Sequence, residues 1–201
     1  DGHDVTVLER TARPGGRAGV VERDGFRLDN GPTVLTMPGL VADTFAAAGA
    51  DVTDYVTLRP VDPMYRAVFA DGSELHVRHG RAAMTEEIRA VAGDRAAAAF
   101  GRFADWLTEL YRVEMPHFID ADFDSALDLV RRWRAASRLV RLGGFRRLGP
   151  KVASFFDDER LQRVFSFQAL YAGVAPHEAL ALYSVITYMD AIEGVVVPEG
   201  G

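Results

Sequence analysis

The chain has 201 residues, of which 48% are hydrophobic, a formal net charge of -6 and no cysteine. This length can bury a substantial core in one large or two small domains, while the missing cysteines exclude disulfides and thiolate metal sites and the acidic balance argues against general nucleic-acid binding. No apolar run reaches the roughly 18 residues of a membrane span, and the histidines form no metal-ligand pattern, so no metal site is predicted.

The first predicted element is a short buried strand over residues 5–8, because Val-Thr-Val-Leu is apolar and β-branched. It ends on Glu9, where a dinucleotide-binding fold places the carboxylate that binds the ribose. In such folds a glycine-rich phosphate turn precedes this acid by about 20 residues. Only eight residues precede Glu9, so we expect a fragment whose phosphate turn lies before Asp1 and whose C-terminal part is also missing.

Arg13, Gly15, Gly16 and Arg17 follow this acid. Paired glycines let a backbone approach a diphosphate closely, and a guanidinium can pair with phosphate oxygens. The alternative is a plain turn with two glycines and a surface arginine. The spacing E-x3-R-x-G-G-R resembles the flavoprotein superfamily of amine oxidases, protoporphyrinogen oxidases and carotenoid desaturases.

The next residues predict a β-hairpin around Asp24-Gly25, a tight polar turn over residues 30–33 and a helix from Pro38 to about Ala48. A second β region follows, with strands near residues 56–59, 65–69 and 74–78. We therefore predict a first domain of residues 1–48, to which a strand in residues 194–201 returns, and a second domain of residues 49–193.

From Arg81 onward the pattern is almost entirely helical. The predicted helices cover residues 84–92, 95–115, 125–142, 145–156, 158–171 and 177–192. The stretch of residues 129–156 contains eight basic residues and no Asp or Glu. We call it the basic segment.

Together, Glu9, the Gly15-Gly16-Arg17 turn, the DNGPTV turn of residues 29–34 and the KVASFFDDE run of residues 151–159 resemble bacterial phytoene desaturases. The resemblance runs nearly end to end. It implies an α/β fold, with a partial Rossmann-like FAD-binding domain and an inserted α+β, mostly helical substrate domain. It also implies an FAD-dependent enzyme that desaturates a long apolar polyene such as phytoene.

The resemblance assigns cofactor roles to both turns. Glu9 would accept hydrogen bonds from the adenosine ribose, and Arg13, Gly15, Gly16 and Arg17 would lie at the pyrophosphate and ribityl part of FAD. Gly31, Pro32, Thr33 and Val34 would pass near the isoalloxazine ring, the alternative being a simple hairpin exit. As a fragment, the chain is expected to be inactive and to bind FAD weakly or not at all.

Asp128 and Arg131 are the predicted catalytic residues. They are spaced i,i+3 on one predicted helix face, where they could form an ion pair directed into a channel. Some members of the resembled family carry an acid and an arginine at this spacing, proposed to act in proton handling. A surface ion pair is the alternative.

The basic segment predicts peripheral contact with an anionic membrane, because its arginines alternate with apolar residues. We expect a cytoplasmic protein, peripheral on the inner face of the cell membrane. Two alternatives stay open for the chain as a whole: another flavin oxidase of the same fold, acting on an amine or a retinoid, and a noncatalytic membrane-binding helical module.

Overall fold

The Asp-Gly pairs at residues 24–25 and 71–72 each lie in the turn of a β-hairpin in the computed structural model. The model describes residues 3–12 and 14–200, with only the backbone of residues 126 and 129. Strand β1 (Val20–Arg23) pairs antiparallel with β2 (Phe26–Asp29), and Val20 lies opposite Asp29. Asp24 and Gly25 have φ values of 52° and 82°, the left-handed pair that a tight two-residue hairpin needs. The predicted hairpin is confirmed.

The chain divides into two compact units, one of residues 1–59 and 196–201 and the other of residues 60–195. The first boundary lies beyond the predicted position at residue 48. The reason is that the residues after helix α1 (Pro38–Ala47) pack back on it: the rings of Phe45 and Tyr55 lie 5.2 Å apart.

The first unit contains the strand predicted to return near the C-terminus. Strand β6 (Val196–Pro198) is hydrogen-bonded to β3 (Leu58–Pro60). Val196 also bridges to Leu35, with N–O distances of 2.8 and 2.9 Å. Late residues of the chain thus hold the segment that follows the DNGPTV turn.

The predicted strand over residues 5–8 is not formed. Val5, Val7 and Leu8 are 80%, 81% and 91% exposed, and none of the described strands pairs with them. A strand needs a neighbour to accept its ladder hydrogen bonds, and an apolar run in a parallel sheet needs cover on both faces. Local composition alone therefore does not produce this strand.

The second unit is organised around one long helix, α2 (Arg81–Glu114), which is kinked at Gly93, where φ is 82°. The kink lies where two separate helices were predicted. Phe100, Phe103, Leu107 and Leu110 are fully buried along one face of α2, as the spacing of about 3.6 residues per turn requires. A hairpin packs nearby, formed by β4 (Tyr65–Val68) and β5 (Glu74–Val77).

The remaining helices are shorter than predicted. They are α3 (Ala126–Arg131), α4 (Trp133–Leu142), α5 (Leu148–Ala153), α6 (Glu159–Val164) and α7 (Ser184–Tyr188), with a 3-10 turn at Phe167–Ala172 and π-helical turns at Met115–Ile119 and Met189–Glu193.

The breaks between these helices bring large rings into one core. Phe156 and Phe165 each lie 5.2 Å from Phe103 of α2, measured between ring centroids. Protein interiors are densely packed. Several short helices that change direction can surround one aromatic cluster, whereas a single long helix would contact it only along one face. In the part of the chain that the structure describes, no helix is both long enough and apolar enough to cross a membrane.

Candidate functional site

The two turns predicted to contact a cofactor lie against each other in the first unit. The amide of Asn30 donates to the carbonyl of Gly19 at 3.0 Å, which closes the segment between the turns. A Cβ atom on Gly31 would lie 1.8 Å from the Arg17 oxygen and 3.0 Å from the Ala18 Cα. Only glycine permits this approach, so the contact depends on residue 31 having no side chain.

The Gly15-Gly16-Arg17 turn is exposed. Gly15 and Gly16 have φ values of 128° and 54°, and a Cβ atom on Gly16 would meet nothing within 4 Å. The turn is closed by one hydrogen bond of 2.9 Å from the Ala18 amide to the Gly15 carbonyl. Within residues 3–12 and 14–200, the amides of Gly16 and Arg17 donate to no backbone acceptor. Arg13 lies outside the described residues.

Glu9 is an exposed carboxylate held by its neighbour. One oxygen, Oε1, accepts hydrogen bonds from the Thr11 amide at 2.7 Å and the Thr11 hydroxyl at 2.8 Å. These bonds hold the pKa of Glu9 below its usual value, the amide contributing most. The residue is therefore ionised at neutral pH, as an acceptor of ribose hydroxyls must be.

The loop of Pro32, Thr33 and Val34 is exposed and held at both ends. Asn30 binds Gly19 before it, and Leu35 binds Val196 after it. The open glycine turn, the ionised Glu9 and this anchored loop meet the chemical needs of a flavin dinucleotide: free amides for a diphosphate, an acceptor for a ribose and a backbone that a ring system can approach.

The predicted pair of Asp128 and Arg131 forms in the second unit, with 3.3 Å between Asp128 Oδ1 and Arg131 Nη1. Arg131 is 78% exposed. The other carboxylate oxygen of Asp128 accepts from the amide and hydroxyl of Ser125, which lower the pKa of Asp128 below its ordinary value. The carboxylate thus caps the start of α3, and its catalytic role stays a prediction.

The second unit contains two buried carboxyl groups that the sequence analysis did not predict as functional. Glu114, at the end of α2, is 6% exposed, and its Oε1 atom has no hydrogen-bond partner among the described residues. Burial raises the pKa of Glu114 to about 8. Asp190 is 8% exposed, and burial raises its pKa to about 6, against the lowering effect of a hydrogen bond from Gln168.

Aromatic rings lie near Asp190. Burial raises the pKa of the Tyr65 phenol, and the charge of Asp190 raises it further. The ring of Tyr65 meets that of Phe167 edge to face at 5.5 Å, and Phe167 meets Tyr171 at 5.9 Å. A carboxyl group in such surroundings can take up or release a proton near neutral pH.

Helical spacing could have predicted the burial of Glu114. It lies four residues after Leu110 and seven after Leu107, so it continues the buried face of α2. Asp190 offers no comparable signal, because its burial depends on the π-helical turn at Met189–Glu193. No group of three or more potential metal ligands occurs within the described ranges.

Comparison with known proteins places the chain among flavoproteins. The family model described as flavin containing amine oxidoreductase matches residues 1–201. The chain is 54% identical over 200 residues to a phytoene dehydrogenase of Streptomyces griseus, covering all of this chain and 39% of that protein. It is 33% identical to the zeta-carotene-forming phytoene desaturase of Myxococcus xanthus, again over the whole chain and 38% of the relative.

A third relative, the lycopene-forming phytoene desaturase of Pantoea ananas, is 33% identical over all of this chain and 40% of its own length. The chain thus spans about two fifths of the length of the relatives it matches. Its match to the family model, in contrast, includes every residue. The chain belongs to the flavin-containing amine oxidoreductase family.

Proposed function

We propose that this chain takes part in the FAD-dependent desaturation of a carotenoid precursor such as phytoene. The observation that carries the proposal is the backbone contact between the Gly15-Gly16-Arg17 turn and Gly31, in a chain matched throughout by a flavoprotein family. The first unit would be the Rossmann-like FAD-binding part, and the second unit would bind substrate. The names of the relatives support the substrate class.

When bound, FAD supplies the acceptor for the hydride that leaves one substrate carbon. The chain's own residues would hold it. Glu9 would bind ribose hydroxyls, and Gly16 and Arg17 would bind the diphosphate through their amides and the Arg17 guanidinium. The loop of residues 31–34 would contact the ring system.

Loss of a proton from the neighbouring carbon completes the double bond, so a base or solvent must receive that proton. Asp128 is the acceptor that the family resemblance suggests. Asp190 is the acceptor that burial favours, because its pKa of about 6 lies close to the pH at which it would work. The second unit supplies both carboxyl groups.

Burial limits which residues of the basic segment are available to contact a membrane. Leu139, Leu148 and Phe156 of the basic segment are at most 3% exposed, so they pack in the core and cannot enter a bilayer. Trp133, Val140 and Phe145 are 62%, 62% and 50% exposed. We propose that these three, with exposed arginines around them, contact an anionic membrane on the cytoplasmic face.

A chimera tests the enzymatic proposal. The 201-residue chain would replace the matched region of the Streptomyces griseus phytoene dehydrogenase, and the chimera would be expressed in bacteria that make phytoene. We expect coloured polyenes, identified by their absorption spectra, and FAD that copurifies with the chimera. A folded chimera that binds FAD and leaves phytoene unchanged would contradict the proposed substrate.

Vesicle flotation tests the membrane proposal separately. We expect the chain to float with vesicles that contain phosphatidylglycerol and to remain unbound with pure phosphatidylcholine. Replacing Trp133 and Phe145 by serine should abolish flotation, whereas the same change at Tyr55, exposed in the first unit, should not. Equal flotation with both kinds of vesicle would contradict an electrostatic contact.

A further inference from the structure

A surface cavity of about 500 Å³ lies between the end of α4 and the start of α5, lined by Phe145, Arg146, Arg147, Pro150, Lys151 and Ser154. Half of its lining residues are cationic and none is acidic. The basic segment that contains it has no Asp or Glu over residues 129–156. The cavity therefore concentrates positive charge where the sequence supplies no counterion.

The backbone that carries the two arginines is fixed. The Ala181 amide donates to the Arg146 carbonyl at 2.8 Å, and Arg147 forms an antiparallel bridge with Leu180. The Arg147 side chain donates to the carbonyl of Glu178. These hydrogen bonds fix the backbone of both arginines, which lowers the entropy that is lost when they bind a ligand.

Lys151 is the only lysine of the chain, and it lines the same cavity. Its ammonium group lies 4.8 Å from the ring centroid of Trp106 and 5.1 Å from that of Phe155. A Cβ atom on Gly143 would lie 3.8 Å from Lys151 Nζ and 3.2 Å from Arg146 Cδ. Both cationic side chains therefore converge over the same glycine.

None of the three cations forms an ion pair among the described residues. The closest acid in sequence, Asp157, is engaged by Arg95 at 2.7 Å. Burial lowers the pKa of Lys151, and the nearby charge of Arg146 lowers it further. Cations placed side by side without an acidic partner favour the binding of an anion.

We propose that this cavity binds a phosphate group through Arg146, Arg147 and Lys151. Guanidinium groups bind phosphate oxygens in pairs and an ammonium group adds a point charge, so two arginines and a lysine suit a tetrahedral dianion. The phosphate can belong to a free phosphomonoester or to a phospholipid headgroup. The exposed Phe145 at the rim would contact the organic part of either one. The site does not depend on the proposed desaturase activity.

The single lysine makes the site directly measurable. Purified 201-residue chain would be treated with an amine-acylating reagent at about pH 8, with the modified Lys151 peptide quantified by mass spectrometry. A bound phosphate raises the lysine pKa and blocks access, so we expect inorganic phosphate to slow acylation several-fold and in a saturable way. Chloride at equal ionic strength should leave the rate unchanged.

Variants locate the effect in the cavity. Arg146→Gln and Arg147→Gln should each raise the phosphate concentration that is needed for protection about ten-fold or more. This is the effect expected from the loss of one charge-assisted contact. Arg102→Gln is the matched control, because Arg102 is an exposed arginine outside the cavity. Circular dichroism verifies that each variant is folded. Protection equal in all variants, or absent in the original chain, would overturn the proposal.

Vesicles distinguish the two sources of phosphate. If the natural ligand is a headgroup, phosphatidylcholine vesicles doped with phosphatidic acid should protect Lys151 at far lower phosphate concentrations than inorganic phosphate requires. If it is a soluble phosphomonoester, glycerol phosphate should protect as well as the vesicles do. Both results support the site and assign its ligand class, whereas protection by neither overturns it.

Discussion

The carbonyl oxygen of Arg17 lies 1.8 Å from the point where a Cβ atom on Gly31 would stand. This contact joins two turns that are fourteen residues apart in the chain. It brings together the residues predicted for the phosphate side of the cofactor and those predicted for its ring side. The packing of the proposed cofactor site therefore rests on the absence of one side chain.

Replacing Gly31 by alanine should disrupt this contact. The new methyl group would overlap backbone atoms that cannot rotate away, so we expect a loss of roughly 1 to 3 kcal/mol of stability, the usual cost of overpacking. Urea unfolding would measure the loss. Gly39→Ala in α1 is the control, since a Cβ atom there meets nothing within 4 Å. Equal stability of the two variants would contradict the contact.

Glu114 predicts a specific pH dependence of stability. Its folded-state pKa of about 8 lies above the ordinary 4.5, so the folded chain binds more protons than the unfolded chain within that window. Its contribution to stability is therefore present below pH 4.5 and is lost as the pH rises through about 8.

The variant Glu114→Gln removes this titration. We expect its melting temperature to exceed that of the original chain at about pH 9 and to match it closely at about pH 5. Glu159→Gln, at an exposed residue paired with Arg163, should show no such divergence. Parallel melting curves for Glu114→Gln and the original chain at both pH values would show that the Glu114 carboxyl is solvated.

Trp106 joins α2 to the end of α4 through a hydrogen bond of 2.9 Å from its indole nitrogen to the Leu142 carbonyl. Trp106→Phe keeps a ring and removes the donor, which should cost about 1 to 2 kcal/mol because a part-buried carbonyl loses its partner. The same change at Trp133, which is 62% exposed, should cost much less. Denaturant midpoints compare the two, and equal losses would contradict the assignment.

Asp128→Asn separates a catalytic role from a structural one. In the chimera with the Streptomyces relative, a catalytic Asp128 predicts loss of coloured product with unchanged FAD content and thermal unfolding. A capping role alone predicts normal product, since the side-chain oxygen of asparagine can still accept the hydrogen bond from the Ser125 amide. Asp190→Asn, measured in parallel, tests the second proton acceptor by the same readouts.

Local sequence patterns correctly predicted the features that depend on a few adjacent residues. Asp24-Gly25 forms its hairpin because both residues adopt left-handed backbone, and Pro38 begins α1 because its fixed φ and missing amide suit a first turn. The apolar face of α2 follows from helical periodicity. These outcomes need no distant partner.

The predictions that failed required a partner elsewhere in the chain. Residues 5–8 have the composition of a strand and form none, since no described strand accepts their hydrogen bonds. Membrane contact was predicted for the basic segment as a whole, yet its residues Leu139 and Phe156 lie in the core, because α4 and the loop after α5 pack against α2.

The sequence by itself determined the flavoprotein signature, the hairpins and the extent of the basic segment, because motif spacing, turn chemistry and charge are properties of neighbouring residues. Tertiary structure alone decided that Gly31 meets Arg17, that Glu114 and Asp190 are buried, and that Arg146 and Lys151 share one cavity without a counterion. Those relationships depend on distances between residues far apart in the chain, and such distances arise only when the core is packed.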